Sequence, residues 1–259
     1  MSPLILVTND DGIESQGLVA AASAAKRCGD IIVVAPRFHQ SGMGRARPNA
    51  REAGVIETRE LTLTDGSKIE AYAVHGSPSQ TVAYAVMEIV PRKPDFCISG
   101  VNEGENVGSI LPVSGTVGAA LEGAGFGIAS MAISQSVDFP NPVTDWTMGE
   151  YFAEVVLRQM IANPLPDEAL IVNLNIPIGA TPSTKIMRTF DSRRSHYYFT
   201  GVDRSDKNSP APFLEEVRVE LGDTEPGSDI AALFVEHAVS LSLLARRWAT
   251  DVAWPLPSA

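Results

Sequence analysis

The chain has 259 residues, 44% of them hydrophobic, and a formal net charge of −11. That length buries a substantial core and suits one large α/β domain or a domain carrying an extra arm. The acidic balance argues against a nucleic-acid polymer or an anionic membrane surface as partner, since both need a basic footprint, but leaves room for a phosphorylated small molecule met by local positive charge.

The N-terminus has neither a basic leader nor a long apolar stretch, and no later segment reaches the roughly 18 apolar residues of a membrane span, so a cytoplasmic protein is expected. Cys28 and Cys97 lie far apart, without Cys or His at ligand spacing, and read as buried free thiols.

Residues 4–8 (LILVT) form an apolar run with the character of a buried parallel strand, which stops abruptly at Asp10, Asp11 and Gly12. Two adjacent carboxylates at a strand end repel, and a divalent cation is the usual compensation. The competing reading is that Asn9 or Asp10 caps the following helix. The Ala-rich segment 16–28 has helical spacing, with Gly29 placed as its C-terminal stop, and 31–35 (IIVVA) is a second buried strand ended by Pro36. A polar loop from Arg37 to about Ala53 leads into an alternating, antiparallel segment in which Asp65 and Gly66 signal a hairpin. A helix is predicted over 79–90 and a strand over 95–101. A Gly- and Ser-dense loop then feeds a small-residue helix over 116–124, followed by strand 128–134, helix 145–162 and strand 169–174. Beyond Lys185 the rhythm changes, and residues 186–221 suggest a long β-hairpin or arm; such arms exchange between subunits, so an oligomer is expected. The predicted architecture is α/β, a parallel-core sheet with flanking helices in residues 1–184, and an arm with a strand and helix returning to the core in 185–259.

In an open parallel sheet, residues just beyond several strands meet at one edge. Asp10 and Asp11 follow the first strand, Ser41 follows the second, and Asn102 follows the strand predicted to end near Gly100. Two carboxylates, a hydroxyl and an amide oxygen make a plausible shell for a hard cation, although Ser41 beside Gly42 and Asn102 each have a turn-forming alternative. Ser114, Gly115 and Thr116 open a helix, where exposed amides and the positive dipole end offer an anion site; the alternative is an ordinary cap. There is no P-loop, and GAGFGI at 123–128 sits at a helix end, where small-residue packing explains it. His39, His75, His196 and His237 are scattered without ligand spacing, though His39 borders the predicted site. Arg45, Arg47 and Arg51 read as a solvated basic cluster that an approaching phosphate would meet.

Together, NDDG at 9–12, APxxxQSG at 35–42, SGxNxGxNxG at 99–108 and SGTVGAAxEG at 114–123 resemble the SurE (survival protein E) family of metal-dependent 5′/3′-nucleotidases. A softer match, GSDIAALFVEHAVSLSLL at 227–244, extends the resemblance over nearly the whole chain. By position it implies that Asp10, Asp11, Ser41 and Asn102 hold one divalent ion per subunit, Mg²⁺ or Mn²⁺. It further implies that Asn106, Ser114, Gly115 and Thr116 surround the phosphate, and that a Rossmann-like core carries a subunit-swapped arm in a homodimer or homotetramer. The chain departs from the family at Gln80 and Thr81, where many members have Asp and Cys, and in LLARRWATD at 243–251; neither departure removes a metal ligand.

The implied activity is hydrolysis of a nucleoside monophosphate to nucleoside and phosphate, with Asp10 as additional base or nucleophile. A phosphatase of the aspartyl-phosphate class expects two acids separated by one residue, whereas these are adjacent. The alternatives carried forward are a nucleotide-binding sensor or assembly protein without turnover, and an acid phosphatase on other phosphate esters.

Overall fold

The computed structural model describes residues 2–138, 141–143, 145–194, 206, 208 and 224–245, with the backbone alone at 197–200 and 214–217. The first half runs β1 (Leu4–Thr8), α1 (Gln16–Lys26), β2 (Asp30–Pro36), β3 (Ile56–Thr62), β4 (Lys68–Val74), α2 (Pro78–Tyr84) and β5 (Phe96–Glu103). It continues through α3 (Gly115–Gly125), β6 (Ala129–Gln135), α4 (Thr147–Ala162), β7 (Ala169–Ile176), β8 (Ile186–Thr189), β9 (Tyr197–Thr200), β10 (Leu214–Val217), α5 (Asp229–Phe234) and β11 (Val239–Ala245).

Nine strands form one mixed sheet in the order β3-β4-β2-β1-β5-β6-β7-β11-β8. Its centre from β4 to β7 is parallel, as the alternating strand and helix pattern predicts, and β3 and β11 are antiparallel to their inner neighbours. Buried side chains of β1 divide by alternation: Ile5 and Val7 pack with Leu18 of α1 and Phe152 of α4, whereas Leu6 packs with Val34, Val82 of α2 and Ala119 of α3. The central strands are therefore covered on both faces, which is why β1 reads as a continuous apolar run.

From β1 the chain crosses to β2 on one side and later returns to β5 on the other, so the order reverses between β1 and β5. Crevices at such switch points, outside the carboxyl ends of the strands, are where ligands bind in open α/β sheets.

Several boundaries differ from the sequence reading. The predicted helix 79–90 is α2 followed by a wider π-helical turn over Ala85–Ile89, and α2 starts at a capping box in which the Ser77 hydroxyl and the Gln80 side chain satisfy each other's backbone N–H groups. Gln80, one of the departures from the family pattern, thus has a structural task. β5 extends to Glu103 through an irregularity in its pairing with β6 between Ser99 and Asn102, so Asn102 lies inside the strand's last residues and not beyond them. Gly29 does not adopt the left-handed cap geometry; it is small because a Cβ there would meet the Pro3 carbonyl oxygen at 2.4 Å. Of the predicted arm, 186–189 joins the large sheet as β8 alongside β11, and β9 and β10 pair separately as a two-stranded antiparallel ribbon. Cys97 is buried, and burial pushes its thiol up to about 12; Cys28 is only half-buried. Among the described residues no helix is long and apolar enough to cross a membrane.

Candidate active site

The acidic pair stands at the carboxyl end of β1, at the switch point. The helix-cap alternative is excluded: α1 begins after Ser15, and the Asn9 side chain instead closes a local turn, donating to the Gly12 carbonyl at 3.0 Å and accepting from the Gly12 N–H at 3.2 Å. Gly12 takes φ of 100°, the sharp turn that its glycine permits.

Asp10 is 3% exposed. Its Oδ1 accepts a 2.7 Å hydrogen bond from the Thr116 hydroxyl, and the Thr116 backbone N–H also favours its charged form. Burial, reinforced by the neighbouring Asp11 charge and only partly offset by Thr116, pushes the Asp10 carboxyl up to about 7. Asp11 is raised as well, first by burial, although its Oδ2 accepts from the Glu103 N–H at 3.3 Å and the His39 ring lies 3.4 Å from its Oδ1.

The other proposed ligands reach this edge through their neighbours. Next to Ser41, the Gln40 N–H donates to the Asp10 carbonyl at 2.7 Å, and Ser41 itself is exposed. Beside Asn102, Glu103 makes the bond to Asp11 just described. The Asn102 amide nitrogen donates to the Gly104 carbonyl at 2.6 Å, which leaves its side-chain oxygen as the atom for a cation. Among the described residues there is no group of three or more His, Cys, Asp and Glu that could hold a metal, so protein ligands here would be two carboxylates and neutral oxygens. This donor set fits a hard divalent cation, because a second positive charge offsets both the repulsion and the desolvation that raise the two aspartates.

The start of α3 closes the other wall. Ser114 is its N-cap, with Oγ accepting from the Val117 N–H at 3.1 Å, so the ordinary capping role is real; the hydroxyl proton remains to be donated elsewhere. Gly115 is pressed against Asp10: a Cβ there would lie 2.6 Å from Oδ2. Asn106 donates to Thr116 Oγ1 at 3.3 Å and to Ser134 Oγ at 2.8 Å, completing a chain from loop to helix to β1.

The basic loop is exposed, as the sequence suggests, but two of its arginines also pair with a buried carboxylate. Arg45 meets Glu122 Oε2 through Nε at 3.1 Å and Nη2 at 2.6 Å, and Arg47 reaches Oε1 at 2.6 Å, tying the Ser41 loop to α3; of Arg51 no ion pair is seen among the described residues. His75 lies between Glu57 and Glu52, and His196 lies outside the described residues. Sequence reasoning missed Ser134, Asn173 and Asn175, polar residues buried inside apolar strands, whose only signal was that cost.

A family model described as survival protein SurE matches residues 5–198. The chain belongs to the SurE family. It is 36% identical over 243 residues to the 5′-nucleotidase SurE of Thermococcus kodakarensis, covering 92% of this chain and 90% of that protein. Against the 5′-nucleotidase SurE of Methanosarcina mazei it is 32% identical over 253 residues, covering 93% and 91%. The fold is similar to a crystal structure of the SurE protein from Aquifex aeolicus, with a TM-score of 0.74 at 25% identity over 95% of each chain. The SurE resemblance of the four motifs thus extends to sequence and fold over most of the chain.

Proposed function

We propose that the chain is a divalent-metal-dependent phosphomonoesterase that removes phosphate from nucleoside 5′-monophosphates, with 3′-monophosphates as further candidate substrates. The observation that carries this reading is the Thr116 hydroxyl held on Asp10, which joins a strand-end acidic pair to a helix start suited to anions. Relatives named 5′-nucleotidase SurE support the substrate class.

Asp10, Asp11, Ser41 and Asn102 would hold one ion per subunit, Mg²⁺ or Mn²⁺. When bound, such an ion offsets charge developing on the phosphoryl group and acidifies water. The chain's own contribution is placement. The Ser114 hydroxyl and the N–H groups at the positive end of α3 orient phosphate oxygens, with Asn106 alongside, and act where charge grows in the transition state. Thr116 spends its hydroxyl proton on Asp10, so it fixes the carboxylate and contributes to phosphate binding through its position at the helix start. Asp10 takes the further role of base or nucleophile.

Residues 1–184 are read as the nucleotidase core and 185–259 as an arm with elements returning to it. The separate β9–β10 ribbon supports exchange of that arm between subunits in a homodimer or homotetramer, and a cytoplasmic location suits the substrate. Asp10→Asn should abolish phosphate release while circular dichroism shows an intact fold; near wild-type turnover in that variant would sink the proposal.

A further inference from the structure

Behind the acidic edge lies a buried polar cluster whose inner members have no task in the reading above. Asn106 sits on the loop between β5 and α3, and two asparagines of β7 close on its backbone. Asn175 Oδ1 accepts from the Asn106 N–H at 2.7 Å, while Asn175 Nδ2 and Asn173 Nδ2 each donate to the Asn106 carbonyl at 3.0 Å.

Both asparagines are fully buried, on one face of a strand whose other residues, Ile171, Val172, Leu174 and Ile176, are buried and apolar. A side-chain amide in such surroundings costs free energy unless it is paired. Here the pairing goes to a single loop residue, and Asn173 Oδ1 finds no partner at all among the described residues. Asn175 thus does for Asn106 what a neighbouring strand would do, satisfying both its N–H and its carbonyl.

With its backbone fixed, Asn106 can aim its own amide in one direction. That amide donates to Ser134 Oγ and Thr116 Oγ1, and Thr116 in turn donates to Asp10. We propose that Asn175, assisted by Ser134 on β6, is a positioning residue for phosphate binding: it fixes the Asn106 backbone, and Ser134 fixes the Asn106 amide, at the site where the phosphate is held. This inference rests on the assignment of Asn106 to the phosphate, toward which its amide would exchange the longer of its two bonds, the 3.3 Å one to Thr116 Oγ1, while Ser134 keeps the other. Asn173 duplicates one of the two donors to the carbonyl, so its removal should cost less.

The test uses the full chain loaded with Mn²⁺ and reads three quantities for wild type, N106A, N173A, N175A and S134A. They are inorganic phosphate affinity by calorimetry, kcat and KM separately for AMP hydrolysis, and Mn²⁺ affinity of the chelator-treated protein. We expect N175A to weaken phosphate binding about tenfold or more and N173A by less than about threefold, with Mn²⁺ affinity unchanged in both, since displacement of a binding group by a fraction of an ångström has effects of this order. Phosphate affinity in N175A matching wild type, while N106A loses it, would overturn the inference; so would parallel loss of Mn²⁺ and phosphate affinity in N175A, which marks general disruption. Unchanged phosphate binding in N106A would instead show that the Asn106 assignment itself is wrong, and the inference falls with it. Should N175A not fold, S134A, which deletes one oxygen, decides in its place: weakened phosphate binding supports the inference and unchanged binding overturns it.

Discussion

The Thr116 hydroxyl donates a 2.7 Å hydrogen bond to Asp10 Oδ1, linking residues 106 apart in sequence and joining the first turn of α3 to the end of β1. Because Asp10 is buried beside Asp11, the bond fixes which oxygen faces the helix and favours the ionised form against the push of burial. The helix start and the acidic pair therefore form one unit.

Gly115→Ala tests how closely that unit is fitted. The added methyl would lie 2.6 Å from Asp10 Oδ2, closer than carbon and oxygen tolerate without movement. Turnover should fall by about a hundredfold, the cost of displacing a reacting group by about an ångström, while the protein stays folded. Steady-state phosphate release with the variant checks this, and activity within a few-fold of wild type would show that Asp10 has room to move.

The aspartates also set a pH dependence for the chelator-treated protein. Asp10 has an ordinary carboxylate value of 3.8 and is held at about 7 in the fold, so between those values the folded state keeps a proton that the unfolded chain has lost. Stability contributed by that proton is complete below about 3.8 and is lost as the pH rises through about 7, a difference on the order of a few kcal/mol. Wild type without metal should melt at a lower temperature at pH 8 than at pH 5.5. In Asp10→Asn that difference should shrink, and Mn²⁺ should raise the melting temperature of wild type at pH 8 by binding the ionised pair. Equal pH dependence in wild type and variant would contradict the burial argument.

Arg45, Arg47 and Glu122 give an asymmetric expectation. The Glu122 side chain is 4% exposed, whereas those of Arg45 and Arg47 are 46% and 63% exposed. Replacing both arginines by alanine strands a buried carboxylate and should cost about 3 kcal/mol or more. Glu122→Gln leaves two guanidinium groups that water can solvate and should cost about 1 kcal/mol. Urea unfolding ranks the variants, and the reverse order would show that the arginines and not the carboxylate bear the desolvation. Both changes should also loosen the Ser41 loop and weaken Mn²⁺ binding.

What was legible in the sequence follows from locality. The passage from LILVT to Asp10-Asp11-Gly12 places charge beside an apolar strand within a few residues, and alternating apolar runs and small-residue helices mark the parallel core. The strand that carries Asn102 runs past its predicted end near Gly100 because the irregularity between Ser99 and Asn102 continues it to Glu103. Glu122 shows no spacing relation to Arg45 and Arg47, whose contact exists only after α3 has docked on the loop. Asn173 and Asn175 carry no sequence signal of their pairing, since their common partner, Asn106, is 67 and 69 residues away. Side-chain pairing across the sheet has no sequence period and becomes visible only in the fold.

The most direct measurement is phosphate release from a panel of nucleoside 5′- and 3′-monophosphates by wild type and Asp10→Asn, with Mg²⁺, with Mn²⁺ and with chelator. We expect wild type to release phosphate from at least one nucleotide in a divalent cation, to lose that activity in chelator and regain it when the ion is restored, and the variant to be inactive throughout. Release that persists in chelator, or activity confined to phosphate esters other than nucleotides, would contradict the assignment.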